Sequence, residues 1–399
     1  MKAPFRPLAG LNVIEFSQMV MGPTCGLILA DLGADVLKIE PPKGDRTRSF
    51  KGPAAGFFAN YCRNKRSLAL DTATKQGQAV ARRLIDRADV LIENFRPGLL
   101  KRHNLDYETV VDTAPRLIYC SLKGYLQGPY ENRLALDEVV QMMGGLAYMT
   151  GLPDRPMRTG ASVNDVMGGM FAVIAIQAAL SERLRTGRGR YIQSALFENN
   201  VFLMGQAMMF ESVTGTPSVP YSIKDSPWPV YDLFNTADGS KLFVTIVGEE
   251  HWAAFCRSFG REAWLEDGRL ASLQGRVEAR RWLIPEIAAL MKAFTAAELT
   301  QRLEALELPF APVAKPGDLF ADRHLNASGG LLDVRLPDGR MAKTPALPIA
   351  VDGERLGNRL DPPLVGEHSR EVLAEAGYGD GEIEALIAEG AVAAAAPRY

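Results

Sequence analysis

The 399-residue chain is poor in the residues that build metal and disulfide sites, with four cysteines and four histidines. Cys25, Cys62, Cys120 and Cys256 form no Cys-x-x-Cys pair, and His103, His251, His324 and His368 do not cluster. Spacing therefore offers neither a structural metal site nor a disulfide framework. Excess charge is lacking too: 45 Lys and Arg against 47 Asp and Glu leave a formal net charge of -2. No overall field recruits nucleic acid or acidic membrane, so any anion site must be local. The longest apolar stretch, residues 166–180, is shorter than the roughly 18 to 20 residues of a membrane span. The start Met1-Lys2-Ala3-Pro4-Phe5-Arg6-Pro7 carries no export signal, and the expected location is cytoplasmic. No Gly-x-x-x-x-Gly-Lys-Ser/Thr loop, Gly-x-Ser-x-Gly elbow or His-Glu-x-x-His helix is present, which removes the simplest NTPase, hydrolase and zinc-protease readings.

What is there is an ordinary globular composition, 47% hydrophobic and 23% charged, long enough for two or three domains. Residues 11–16 read as a strand, 23–32 as a helix opened by Pro23 and closed by Gly33, and 35–40 as a second strand. The pattern returns with a helix over 74–87 before a strand at 90–93, and a helix near 107–112 before a strand at 117–120. Such alternation predicts an α/β domain with a mostly parallel sheet. Residues 137–195 turn helical, with candidates at 139–148 and 164–185, followed by a possible strand at 191–195 and a Met-rich helix through about 211. Residues 214–229, rich in Gly, Pro and Ser, mark a linker. Beyond it, Ala237-Asp238-Gly239-Ser240 signals a hairpin, helices are expected at 250–259, 277–294 and 296–306, and Thr295 with Glu298 forms a capping box. The expected organisation is a large domain over 1–212, a linker over 213–229, a smaller α+β domain over 230–325 and a return segment, 326–399, that completes the large domain.

Chemistry must be sought in carboxylates and local cations. Asp165 begins the longest predicted helix, where the dipole favours its ionised form; on local sequence alone, a helix cap and a resting nucleophile both remain open. Gly168 and Gly169 beside it would let another segment or a substrate approach closely. Asn64-Lys65-Arg66-Ser67, Arg96 with Arg102, and Lys123 place cationic and amide groups in predicted loops, as phosphate recognition requires. Asn94-Phe95-Arg96-Pro97-Gly98 directly follows a strand, where ligands of open α/β sheets bind.

Taken with Leu11-Asn12-Val13-Ile14-Glu15-Phe16, Gly22-Pro23, Leu32-Gly33-Ala34-Asp35-Val36-Leu37-Lys38-Ile39-Glu40, Thr186-Gly187-Arg188-Gly189 and Gly366-Glu367-His368-Ser369, these segments resemble the class III CoA-transferases, the family that includes formyl-CoA transferase, carnitine CoA-transferase and the 2-methylacyl-CoA racemases. The resemblance covers nearly the whole chain. It implies a Rossmann-like large domain, an interlocked homodimer, and an enzyme that takes acyl-CoA and a small carboxylate as substrates, with no permanently bound cofactor. It also implies that Asp165, in the segment matching residues 161–169, is the nucleophile. Aspartyl-anhydride and aspartyl-CoA thioester intermediates would follow, with succinyl-CoA as donor by family habit and the linker near Ser226-Pro227-Trp228-Pro229 as their shield from water. By the same matching Asn94, Phe95, Arg102 and Lys123 line the CoA channel, with Lys65 and Arg66 as further phosphate ligands.

Two departures stand out. Where transferases commonly have Tyr before an acid, and the racemases His before Asp, this chain has Leu136 before Asp137. Leucine is neither acid nor base, which argues against the alternative of a racemase. The glycine-run lid of formyl-CoA transferase is also missing, which points away from an oxalate-specific enzyme. An intramolecular CoA isomerase and a non-catalytic CoA-binding scaffold are the remaining alternatives.

Overall fold

A computed structural model describes residues 5–223 and 226–395. The leader-free reading of residues 1–4, residues 224–225 of the expected linker and the last four residues of the return segment lie outside that description. Contacts divide the chain into one unit of residues 1–222 with 323–399, and a second of residues 223–322.

The first unit is built on a seven-stranded sheet. Its strands are β1 (Asn12–Phe16), β2 (Asp35–Glu40), β3 (Lys65–Leu70), β4 (Val90–Glu93), β5 (Ile118–Lys123) and β6 (Tyr191–Ala195). They pair in parallel in the order β3-β2-β1-β4-β5-β6, the strand order of doubly wound dinucleotide-binding sheets. The order in which successive strands are added reverses between β1 and β4, and ligands of such sheets bind at the carboxyl ends beside that switch.

Both faces of the sheet are covered. Ile14, Leu37, Leu68 and Leu91 point into one apolar cluster, whereas Val13, Val36, Val90 and Ile118 point into another. The near-continuous apolar strands follow from this, because a parallel sheet buries both sets of alternating side chains. The second face packs against α1 (Met21–Asp31) and α3 (Val163–Thr186), with Leu29, Ala172 and Ile176 fully buried. Helix α2 (Asp137–Met143) precedes α3, and α4 (Leu196–Thr214) follows β6. Since α3 connects β5 to the parallel β6, it runs back across the sheet and its N-terminus sits above the carboxyl ends of the strands. Among the described residues, α3 is the one helix long and apolar enough to cross a membrane by length and composition.

The second unit has a three-stranded antiparallel sheet of β7 (Val230–Asn235), β8 (Lys241–Ile246) and β9 (Phe310–Pro312). Its own core gathers Val230, Leu242, Phe255, Leu283, Ile287 and Leu303. The hairpin at 237–240 joins β7 to β8, and both halves of the Thr295–Glu298 capping box form. The expected helix over 277–294 is two helices, Leu273–Glu278 and Arg280–Met291, that meet at Ala279. The return segment begins with the hairpin of β10 (Leu331–Arg335) and β11 (Met341–Pro345) and ends with β12 (Val392–Ala393), antiparallel to β3 on the edge of the large sheet.

Residues 65–70 correct the sequence reading, which placed Lys65 and Arg66 in a loop. They form β3, whose charged first half disguises a strand that is otherwise buried.

Candidate active site

Asp165 lies in the first turn of α3, half-buried, above the carboxyl ends of the sheet. Helix α1 comes close here: a Cβ on Gly168 would stand 2.2 Å from Met21 Cε, and one on Gly169 would stand 2.8 Å from Thr24 Cβ. The two glycines therefore admit the start of α1 against the turn that follows Asp165.

The first amides of α3 are not capped by Ser162, which precedes the helix, nor by Asp165. Asp137 Oδ2, from α2, accepts from the backbone N–H of Asn164 at 2.8 Å and of Asp165 at 3.0 Å. Asp137 is buried, and its other oxygen takes a hydrogen bond from Gln141 Nε2. The carboxylate of Asp165 itself accepts no hydrogen bond among the described residues. The helix-cap reading thus belongs to Asp137, a tertiary contact across 27 positions that no local motif announces.

This arrangement also alters the expected charge state of Asp165. The helix dipole alone would favour ionisation, but Asp137 already occupies the amides. Burial, then the neighbouring charges of Asp137 and Glu138, push the Asp165 carboxyl from 3.8 up to about 7. Tyr61 stands close enough that burial and then the Asp165 charge raise its phenol. Leu136, where a transferase usually carries tyrosine, is 59% exposed. Tyr61 is an aromatic hydroxyl near Asp165 that no motif singles out.

The other expected ligands divide. Asn94 sits at the topological switch, where its Oδ1 accepts from Gln18 N–H at 2.8 Å and its Nδ2 donates to Gln18 O at 2.8 Å. It fixes the loop between β1 and α1, in which Met19 adopts φ +67°. Phe95 packs on the core. Lys123 lies 3.6 Å from Glu93 and joins Arg96 and Lys101 along a cleft of about 160 Å³ beside β4 and β5. Arg102 is exposed at the end of the helix Leu99–Arg102 and is not among the residues of that cleft.

Lys65 and Arg66 do not stand as phosphate ligands. Lys65 is fully buried, with Nζ 2.7 Å from Glu15 and 2.8 Å from the carbonyl of Pro23. A Cβ on Gly26 would fall 1.8 Å from the same Glu15 carboxylate, so α1 has no space to spare over the pair. Arg66 is held by both oxygens of Asp35 and by Glu371 and Glu375. Their charge is already neutralised.

A half-buried, unpartnered carboxylate at the open end of a doubly wound sheet, with cations along the neighbouring strands, suits acyl transfer from a large anionic thioester. The family model of CoA-transferase family III matches residues 8–369. The chain belongs to CoA-transferase family III. It is 34% identical over 382 residues to a succinate–glutarate CoA-transferase of Agrobacterium fabrum, covering 92% of this chain and 95% of that protein. It is 30% identical over 385 residues to a succinyl-CoA–D-citramalate CoA-transferase of Chloroflexus aurantiacus, covering 93% and 94%. A crystal structure of a CaiB/BaiF family protein from Brucella suis superposes with a TM-score of 0.85 at 32% identity, covering 94% of this chain and 100% of that one. The mixed α/β architecture with its dominant parallel sheet is that of this family, and the chain is an enzyme of the CoA-transferase class.

Proposed function

We propose that the enzyme moves CoA from succinyl-CoA to a small dicarboxylic acid, with Asp165 as the covalent relay. The observation that carries this reading is the Asp165 carboxylate, left without a partner at the head of a helix whose amides another carboxylate has taken. The relatives' activities toward succinyl-CoA and dicarboxylic acids support the substrate classes.

An oxygen of ionised Asp165 attacks the thioester carbonyl, the C–S bond breaks, and an acyl-aspartyl anhydride and CoA thiolate result. The thiolate attacks the aspartyl carbonyl, expels the donor acid as its carboxylate and leaves an aspartyl-CoA thioester. The acceptor carboxylate attacks that thioester to give a second anhydride, and the released thiolate then takes the acceptor acyl group and frees Asp165. No proton is gained or lost over the cycle. A carboxyl raised to about 7 is a stronger nucleophile once ionised than an ordinary aspartate, at the cost of being only about half ionised at neutral pH.

Asn94 shapes the loop under the thioester, and Phe95, Arg102 and Lys123, joined by Arg96 and Lys101, border the CoA. Phe202, Met209 and Val213, at helical spacing, leave an exposed apolar stripe on α4, the surface a second copy covers in a cytoplasmic homodimer. Sedimentation at micromolar concentration should give a dimer; a monomer would remove that part. The reaction is tested by mass spectrometry after incubation with succinyl-CoA. An acyl or CoA adduct on the peptide holding Asp165, absent in Asp165→Asn, is expected; CoA binding without any adduct would overturn the covalent route.

A further inference from the structure

The segment leading into α3 is tied to the helix that caps it. Gln141 of α2 is fully buried and acts as the knot: its Oε1 accepts from Thr159 N–H at 2.8 Å and Thr159 Oγ1 at 3.3 Å. Its Nε2 donates to Asp137 and, at 3.5 Å, to the carbonyl of Ala161. Asp137 in turn holds the backbone N–H of Asp165. One unbroken hydrogen-bonded chain therefore fixes the backbone on both sides of residue 160 relative to the nucleophile. Arg158, immediately before Thr159, is carried by this strap and is clamped by an ion pair to Glu138, the residue next to Asp137.

The clamp has a surplus. A guanidinium has five N–H donors in a planar fork, and the contact with Glu138 engages one nitrogen while the side chain stays 42% exposed. The surroundings of Asp165 are otherwise acidic, with Asp137 and Glu138 both acting on it. A substrate that brings a second carboxylate to within a few carbon atoms of the reacting carbonyl meets like charges there, and needs a cation fixed at the same place.

We propose that Arg158 is a specificity-determining residue: its guanidinium binds the distal carboxylate of the acceptor acid, and of the succinyl group of the donor, while Glu138 and the Gln141 strap aim it. This inference rests on the transfer reaction proposed above and adds to it the group that selects two carboxylates over one. Glu138 holds the fork in orientation, and the substrate carboxylate takes the open edge of the guanidinium.

The test is steady-state transfer from succinyl-CoA to glutarate and to valerate, a five-carbon acid lacking the second carboxylate, by the wild-type enzyme, Arg158→Gln and Arg158→Lys. Adduct formation on Asp165 is followed in parallel. The wild-type enzyme should prefer glutarate in kcat/KM. In Arg158→Gln the kcat/KM for glutarate, which in this two-step relay does not depend on the donor half-reaction, should fall about 10- to 100-fold, the scale of a lost charge-assisted hydrogen bond, and that for valerate should stay within about twofold, so that the preference collapses. Arg158→Lys should restore part of it, since an ammonium keeps the charge but not the fork. A wild-type enzyme that transfers to both acids equally, or an Arg158→Gln variant in which both acids lose equally or neither loses, overturns the role of Arg158 and leaves Asp165 chemistry intact. Absence of any Asp165 adduct in the wild-type enzyme would instead strike the reaction on which the inference rests.

Discussion

Two groups of charge lie at the same end of the large sheet, one buried around Glu15 and one partly exposed around Asp165, and they differ in how they are matched. Around Glu15, the cations Lys38, Lys65 and Arg48 face the carboxylates Glu15, Asp45 and Glu40, with contacts of 2.7 Å for Lys65–Glu15, 2.9 Å for Lys38–Asp45 and 2.6 Å for Arg48–Glu40. Ser17 and Ser67 fill remaining acceptor sites with hydroxyl donors. Around Asp165, Asp137 takes the two amides of α3 and Glu138 takes Arg158, which leaves the third carboxylate, Asp165 itself, without a partner. Buried charge that is fully matched has done its work once the chain is folded. A carboxylate left unmatched is costly to keep, which fits the chemical role proposed for Asp165.

The comparison is broken most severely at Asp165, the proposed nucleophile. Asp165→Asn should lower transfer by at least about 1,000-fold, the scale seen when a covalent nucleophile is removed, with CoA affinity little changed; direct assay and calorimetric titration with CoA check both. Lys65→Met should act in the opposite sense, on the fold. Removing one partner of a buried pair leaves Glu15 partly uncompensated and should cost about 3 kcal/mol, read by urea denaturation. A loss of CoA affinity at unchanged stability would return Lys65 to the phosphate-binding role that the structure denies it.

The unmatched site makes a further prediction about stability. A carboxyl whose folded value is raised from 3.8 to about 7 binds its proton more tightly in the folded protein, so folding loses stability as pH climbs from about 4 to 7. Asp165→Asn should therefore stabilise the protein by about 1 to 3 kcal/mol at pH 8, and the gain should fade below about pH 4; paired denaturation curves at the two pH values measure it. The smallest effect is expected for Asp137→Asn. The amide keeps an acceptor for the α3 backbone but drops the charge, so the Asp165 titration should move below 7, while its N–H2, set against Gln141 Nε2, should cost about 1 kcal/mol of stability.

Much of this architecture is legible in the chain, because strands alternating with helices, the Thr295–Glu298 box and the turn at 237–240 are local signals. Strand β3 escaped because Lys65, Arg66 and Ser67 look like a loop until Glu15, Asp35 and Glu40 are brought beside them. Asp137 and Gln141 escaped for the same reason. Their partners, Asp165 and Thr159, lie 28 and 18 residues away, and only the folded chain closes those distances. The position of Asp165 could be read from a resemblance, whereas its raised pKa could not: the helix start suggested the opposite direction, and burial with two neighbouring carboxylates reversed it.

The most direct test of the central claim is the rate at which succinyl-CoA labels the Asp165 peptide, measured by rapid quench and mass spectrometry between pH 5 and 9. If an unmatched Asp165 is the nucleophile, the rate should rise with pH and level off with an inflection near 7. A rate that is flat across this range, or one already at its plateau at pH 5, would mean that Asp165 is as well compensated as Glu15 and that the contrast between the two sites does not explain the chemistry.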